Sequence, residues 1–365
     1  MKPKIAIACQ GGGSQTAFTA GVLKTLFENN IQEKFNIVSL SGTSGGAICA
    51  FLIWYALKKE DDILWKRMID FWEDNSAQTY QERFFNNWII KSLESVSKGL
   101  IPQYNFTPYS PLAQAYFSMM TAGLRSRFTN LKELLETHVD FSEIEAWGLR
   151  PEPPILLLGA CEILSGKLDK FNSRHQIIKV EHLLASACVP NIFPSVTIAD
   201  KTYWDGLFSD NPPIRSLIRR AFVGKENIPQ EIWVIKINPT STDKIPKAAD
   251  DIVDRRNELE GNVSLFQGLD QVEFLNDLFL KGAFNEIFLA EVDIKEPIKI
   301  PKSFADDPDR PYHIPMIEMS EDLAKSLNYE SKLDRCPENI KRLIEEGENQ
   351  GKRFLENRLK QMEGQ

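Results

Sequence analysis

The first sixty residues alternate short runs of apolar and β-branched residues with longer runs of helix-forming residues, separated by glycine-rich turns. Residues 4–9 and 36–40 have no helical period, so they predict strands. Residues 17–29 and 46–57 predict helices. This order of strand, helix, strand, helix is typical of a parallel sheet that helices cover on both faces.

The remainder of the chain is richer in helix than in strand. Residues 61–147 predict helices, with an interruption around residues 99–111 where Gly, Pro and Tyr accumulate. Strand patterns return at 154–158 and 231–237, and helical patterns cover 248–284 and 338–362. Since neither a repeat nor a linker divides the chain, we expect one α/β domain. Its core would be residues 1–245, and residues 246–365 would form a helical portion packed on that core.

An aromatic cluster between residues 65 and 88 permits two interpretations. At helical spacing such residues usually belong to a core, but they could also form a lid or a face that docks on a membrane. The cluster consists of Trp65, Phe71, Trp72, Phe84, Phe85 and Trp88.

Composition and charge narrow the range of partners. The chain has 365 residues, of which 42% are hydrophobic and 26% charged, with a formal net charge of −8. A negative protein has no general attraction to nucleic acids or to anionic lipids, so we expect no nucleic-acid partner. Any transient contact with a membrane surface would have to be local and apolar. The longest apolar run, residues 47–57, is too short to span a bilayer.

The N-terminal residues, the cysteines and the histidines favour a cytoplasmic protein without a metal. No signal-peptide pattern precedes the first predicted strand, and the five scattered cysteines are odd in number. The four histidines have no metal-ligand spacing, so neither a metal nor another cofactor is expected. These residues are Cys9, Cys49, Cys161, Cys188 and Cys336, and His138, His175, His182 and His313.

The strongest chemical motif is Gly42-Thr43-Ser44-Gly45-Gly46, between a predicted strand and an apolar helix. This is the G-x-S-x-G pattern of a nucleophile elbow in the context that it requires. Glycines at 42 and 46 would remove collisions in the sharp turn, and the helix would direct the positive end of its dipole at the serine. We therefore expect Ser44 to be a nucleophile, against the alternative of an ordinary tight turn.

A second glycine-rich turn, Gly11-Gly12-Gly13-Ser14, follows the first predicted strand. A phosphate-binding P-loop would need a lysine that is absent, and a dinucleotide fold would need a third glycine and a later acid. An oxyanion hole needs only exposed backbone N–H groups near the nucleophile. This third interpretation explains both turns, with Gly11, Gly12, Gly13 and Gly45 as candidate donors.

The base that a serine nucleophile requires is predicted at Asp205. It stands in Tyr203-Trp204-Asp205-Gly206-Leu207, where an acid among aromatic residues is unusual. Taken by itself, an Asp-Gly pair more often marks a simple turn.

Taken together, these motifs resemble the patatin-like phospholipases. The glycine loop, the G-x-S-x-G elbow and the Asp-Gly motif, Asp205-Gly206-Leu207 before Asn211-x-Pro213, occur in that family's order. A further match is Ser186-Ala187-Cys188-Val189-Pro190-Asn191-Ile192-Phe193-Pro194, which is similar to its Ser-x-Ala-x-Pro-x-x-Phe-Pro segment. The resemblance implies a three-layer α/β/α fold, a Ser44–Asp205 dyad without histidine, and cofactor-free hydrolysis of acyl esters in lipids.

Three residues depart from the family pattern: Gln15, Thr16 and Leu207. A neutral Gln15 in place of a basic residue, beside the oxyanion hole, would favour neutral over anionic substrates. The departures leave open a non-catalytic scaffold with the same fold. A Ser-Asp-His hydrolase with His313 as its histidine is the other alternative.

Overall fold

The protein is described here by a computed structural model that covers residues 2–102, 107–190, 192–242, 245–247, 249–292 and 315–363. The strands in these ranges are β1 (Lys4–Cys9), β2 (Asn36–Gly42), β3 (Ile155–Glu162), β4 (Leu168–Asn172), β5 (Val196–Ile198), β6 (Lys201–Asp205), β7 (Glu231–Ile235) and β8 (Met316–Ile317).

The α-helices in the same ranges fall into two groups along the chain. Those before β3 are α1 (Ala17–Glu28), α2 (Ile31–Lys34), α3 (Gly45–Lys59), α4 (Lys66–Asn75), α5 (Tyr80–Ser97), α6 (Pro111–Thr121), α7 (Ser126–Thr129), α8 (Leu131–His138) and α9 (Phe141–Trp147). Those after it are α10 (Val180–Ala187), α11 (Ile214–Leu217), α12 (Arg220–Val223), α13 (Ala249–Leu280), α14 (Glu286–Val292), α15 (Glu321–Ser326) and α16 (Pro337–Glu363). Short 3₁₀ helices occupy Gly13–Thr16, Gly206–Phe208, Lys225–Asn227 and Glu330–Lys332.

All of these strands belong to one mixed sheet with the order β5-β6-β3-β2-β1-β7-β8, and β4 pairs with β3 from outside this path. Strands β1, β2, β3, β7 and β8 are parallel. Strands β4, β5 and β6 add antiparallel pairs at one side. The predicted mostly parallel α/β sheet is therefore confirmed.

Both faces of the sheet are buried, because alternate residues of each central strand enter different cores. In β1, Ile5 and Ile7 belong to the larger core, while Ala6 and Ala8 belong to the smaller one. The larger core includes side chains of α1, α3 and α16, and the smaller includes those of α11 and α13. Helices thus cover the two faces, which confirms the three-layer α/β/α architecture.

The C-terminal helix α16 packs directly against α1. A Cβ atom at Gly347 would lie 2.8 Å from the backbone nitrogen of Val22, so only glycine permits this approach. At the far end of the helix, Arg358 donates from Nε to Glu231 Oε2 of β7 at 3.0 Å, and both side chains are buried. The helical C-terminal portion predicted from the sequence therefore contacts the core, and the division at residue 245 stays a prediction.

The aromatic cluster between residues 65 and 88 is mainly core. Phe71, Trp72 and Phe85 are at most 5% exposed, whereas Phe84 and Trp88 of α5 are exposed. The large apolar residues that do reach the surface lie mostly beyond this cluster. Within the described residues, no helix is both long and apolar enough to cross a bilayer.

Candidate active site

Ser44 lies at the sharp turn between β2 and α3, at the carboxyl edge of the parallel strands. Its backbone has φ 56° and ψ −130°, a strained conformation that side chains other than glycine rarely adopt. Glycine is required around it, since a Cβ at Gly46 would lie 2.6 Å from the carbonyl oxygen of Gln10. The sequence therefore builds the elbow, and Ser44 itself remains partly exposed.

Ser186 holds the turn in place from the neighbouring helix α10. The Ser44 N–H lies 3.1 Å from the carbonyl oxygen of Ser186 and 3.2 Å from its Oγ. The Ser186 hydroxyl in turn donates to the carbonyl of Gly159 in β3 at 2.7 Å. This support was not predicted, although Ser186 begins the segment that matches the family pattern.

Asp205 ends strand β6 and is 1% exposed. Its Oδ1 accepts a hydrogen bond from the Leu207 N–H at 2.7 Å, while Oδ2 has no hydrogen-bond partner among the described residues. Burial raises the pKa of Asp205 to about 7, although the Leu207 N–H and the nearby Ser44 hydroxyl each act to lower it. A carboxyl group with this pKa exchanges a proton readily near neutral pH.

The glycine loop lies directly beside Ser44, because a Cβ at Gly11 would come within 2.9 Å of Ser44 Cβ. The Gly11 N–H is already donated to Asn211 Oδ1 at 2.6 Å, so it has no free donor for an oxyanion. The N–H groups of Gly12, Gly13 and Gly45 have no acceptor in the described parts of the chain. The four candidate glycines are therefore not equivalent.

Gln10 anchors the start of this loop through both ends of its buried side chain. Its Oε1 accepts from the N–H groups of Ile237 and Asn238 at 2.8 and 2.9 Å. Its Nε2 donates to the carbonyl of Gly261 in α13 at 3.0 Å. Because Asn211 Nδ2 donates to the same carbonyl at 3.3 Å, helix α13 supports the loop from two directions.

The Gln15 side chain binds residues of the C-terminal portion, so its expected position beside the candidate oxyanion hole is wrong. The chain enters a 3₁₀ helix at Gly13, which directs the Gln15 side chain toward the C-terminal portion. There its Nε2 donates to Ser331 Oγ at 2.8 Å and to the carbonyl of Asn328 at 3.2 Å. Gln15 is 4% exposed, and these hydrogen bonds attach the end of the glycine loop to the C-terminal portion.

Asp210 holds Thr43, the residue before Ser44 in the elbow. Its carbonyl accepts a hydrogen bond from the Thr43 hydroxyl at 2.6 Å. Its buried carboxylate is paired with Lys170 at 2.6 Å and with Arg215 at 2.8 Å. Two cations therefore immobilise the residue that orients Thr43.

The three described histidines have partners away from Ser44 and Asp205. His138 lies 3.4 Å from Asp74, and His175 makes a 2.8 Å hydrogen bond with the Ala221 carbonyl. His182 accepts from the Lys179 N–H, and burial lowers its pKa to about 4. His313 lies outside the described residues. Within the described ranges, no cluster of three or more His, Cys, Asp or Glu residues could hold a metal ion.

The family model for the patatin-like phospholipases matches residues 7–218, which include the glycine loop, the elbow and Asp205. The chain belongs to the patatin-like phospholipase family. The resemblance seen in the sequence motifs is thus confirmed over more than half of the chain.

Solved structures similar to this patatin-like chain include two bacterial proteins. One is VipD from Legionella pneumophila, with 15% identity, a TM-score of 0.42, and coverage of 98% of this chain and 67% of VipD. The other is the ExoU–SpcU complex from the type III secretion system of Pseudomonas aeruginosa. The identity is 16% and the TM-score is 0.25, and the match covers 81% of this chain and 58% of the matched chain in the complex. No curated protein matches the sequence.

Proposed function

We propose that this patatin-like protein is a serine acyl hydrolase that cleaves carboxylic esters of lipids, with Ser44 as nucleophile and Asp205 as base. The observation that carries the proposal is the pairing of a strained, partly exposed Ser44 with a buried Asp205 of pKa about 7. Membership of the phospholipase family supports lipid esters as the substrate class.

In the first half of the reaction, Asp205 accepts the Ser44 hydroxyl proton as Oγ attacks the acyl carbonyl carbon. The unpartnered Oδ2 of Asp205 is the acceptor that remains available, since Oδ1 binds the Leu207 N–H. The tetrahedral intermediate then collapses, and Asp205 returns the proton to the departing alcohol. An acyl ester of Ser44 is left on the enzyme.

In the second half, a water molecule gives a proton to Asp205 while its oxygen attacks the acyl carbon. Collapse of this second intermediate breaks the bond to Oγ, and the proton returns from Asp205 to Ser44. The carboxylic acid leaves, and the site returns to its starting state.

The negative oxygen of both intermediates would be stabilised by the N–H groups of Gly12, Gly13 and Gly45, which have no other acceptor in the described chain. We assign no such role to Gly11, because Asn211 accepts its N–H. The N-terminal end of α3 adds a positive dipole at the same place.

The Ser-Asp-His alternative would need a histidine that contacts Asp205 or Ser44. None of the three described histidines does so, and His313 can be tested by substitution. The departures from the family pattern do not favour a scaffold, since Gln15 makes structural hydrogen bonds and Leu207 supplies its N–H to Asp205.

The proposal is tested with p-nitrophenyl esters of graded chain length and with phosphatidylcholine vesicles. We expect ester hydrolysis by the wild-type protein and none above background by Ser44→Ala. The matched control is Ser92→Ala on α5, which removes a half-buried hydroxyl bonded to the Trp88 carbonyl and should retain full activity. A wild-type protein that hydrolyses none of these esters would favour the scaffold.

A further inference from the structure

An uncharged segment of the chain carries exposed apolar side chains in its described part, residues 99–102 and 107–124. Residues 99–124 contain no Asp, Glu, Lys or Arg, a run of 26 positions in a chain that is 26% charged. Helix α6, within this segment, has no buried residue. Leu112 is 77% exposed and Met119 is 65% exposed, so the helix contributes little to either core.

Three of the exposed apolar residues of α6 form a stripe. Leu112, Tyr116 and Met119 have the spacing i, i+4, i+7 and therefore lie on one face of the helix. The ring of Tyr116 contacts that of Trp88 on α5, with 6.1 Å between their centroids. The apolar surface thus continues from α6 onto the neighbouring helix.

This stripe is connected to the rim of the candidate active site. The Tyr109 hydroxyl, just before α6, accepts a hydrogen bond from the Ser195 N–H at 2.7 Å. The next residue, Val196 of β5, pairs with Tyr203 of β6, two positions before Asp205. Exposed apolar side chains continue there, because Trp204 and Phe208 flank Asp205 on the surface with their rings 6.5 Å apart.

We infer that α6 and this aromatic rim form a docking surface for a neutral lipid surface that carries the substrate. The inference rests on the proposed function, which places a lipid hydrolase site beside the aromatic rim. Apolar residues with Tyr and Trp at their margin are suited to the interface between head groups and acyl chains. The lack of charge and the net charge of −8 argue against an anionic membrane as the source of attraction.

The test is flotation of the protein with vesicles of phosphatidylcholine alone. We expect the wild-type protein to bind these vesicles. The double variant Leu112→Ser/Met119→Ser should have an affinity lower by on the order of tenfold or more, because large apolar side chains no longer enter the lipid. Because the attraction is apolar, wild-type binding should not weaken between 0.1 and 0.5 M salt, taken as roughly the range that screens exposed charges.

The matched control is Ile63→Ser/Leu149→Ser, which removes apolar side chains of 47% and 51% exposure. Helix α3 starts directly after Ser44 and runs for 15 residues, about 22 Å, so Ile63 lies near the opposite edge of the sheet. Leu149 precedes β3 at that same edge. We expect these substitutions to leave vesicle binding and ester hydrolysis unchanged.

Two further measurements separate this inference from the proposed function. Ser44→Ala should bind the vesicles as the wild type does, whether or not the protein is an ester hydrolase. In the active protein, Leu112→Ser/Met119→Ser should lower the ratio of vesicle-lipid hydrolysis to short-chain ester hydrolysis by the factor seen in binding. Wild-type protein that does not bind neutral vesicles, or binding equal in the α6 variant and the wild type, would overturn the inference.

Discussion

The pKa of Asp205 leads to a quantitative prediction for the pH dependence of activity. The proposed base must be ionised before it can accept the Ser44 proton. With a pKa of about 7, roughly a tenth of the carboxyl groups are ionised at pH 6 and about nine-tenths at pH 8. We therefore expect kcat/KM to rise about tenfold between these two pH values and to level off above pH 8.

The same pKa predicts an effect on stability, with a defined sign. The folded protein holds the Asp205 proton more tightly than the unfolded chain, where the pKa is near 3.8. The free energy of unfolding should therefore fall as pH rises from about 4 to about 7, and the full loss should persist above that range. A difference of about three pKa units corresponds to a loss on the order of 4 kcal/mol.

Asp205→Asn removes this ionisation while keeping an oxygen for the Leu207 N–H. We expect the variant to be inactive, to match the wild type in stability near pH 4, and to exceed it by up to about 4 kcal/mol at pH 8. Urea unfolding at both pH values measures the difference, with the exposed Asp200→Asn as the control. A flat activity profile between pH 5 and pH 8, or no gain in stability at pH 8, would refute the role given to burial.

Three other predictions concern the groups around the dyad. Gln15→Leu removes the hydrogen bonds to Asn328 and Ser331, so kcat for a soluble ester should fall about tenfold while KM changes little. Because the Gln15 side chain is directed toward the C-terminal portion, Gln15→Arg should not increase hydrolysis of anionic lipids. Asn211→Leu frees the Gly11 N–H and releases the loop, so steady-state kinetics should show a kcat loss of about 10²-fold in a variant that still unfolds cooperatively. His182→Gln and His313→Gln should each keep kcat within a few fold, and a loss of about 10³-fold at His313 would instead support the triad.

The sequence predicted the parts of this structure that depend on local patterns. The apolar runs of β1 and β2 and the elbow glycines have physical consequences within a few residues of the chain. For this reason the parallel strands, the position of Ser44 and the family resemblance all followed from short segments.

The remaining parts depend on contacts between distant positions. Gln10 binds residues of α13 about 250 positions away, and the Gly11 N–H binds Asn211. No sequence pattern indicates which residues the side chains of Gln10 and Asn211 will bind. The antiparallel strands β4 to β6 are short and partly polar, so no periodicity marks them. Gln15 was misplaced because the direction of a side chain after a glycine turn depends on the backbone of Gly13.

Labelling with a fluorophosphonate probe shows whether Ser44 is a nucleophile that Asp205 activates. Mass spectrometry of the digested protein locates the adduct, and the time course gives the rate of labelling. We expect one adduct on the peptide that contains Ser44, no adduct in Ser44→Ala, and labelling of Asp205→Asn slowed by about 10³-fold or more. An adduct elsewhere, or an unchanged rate in Asp205→Asn, would contradict these roles of Ser44 and Asp205.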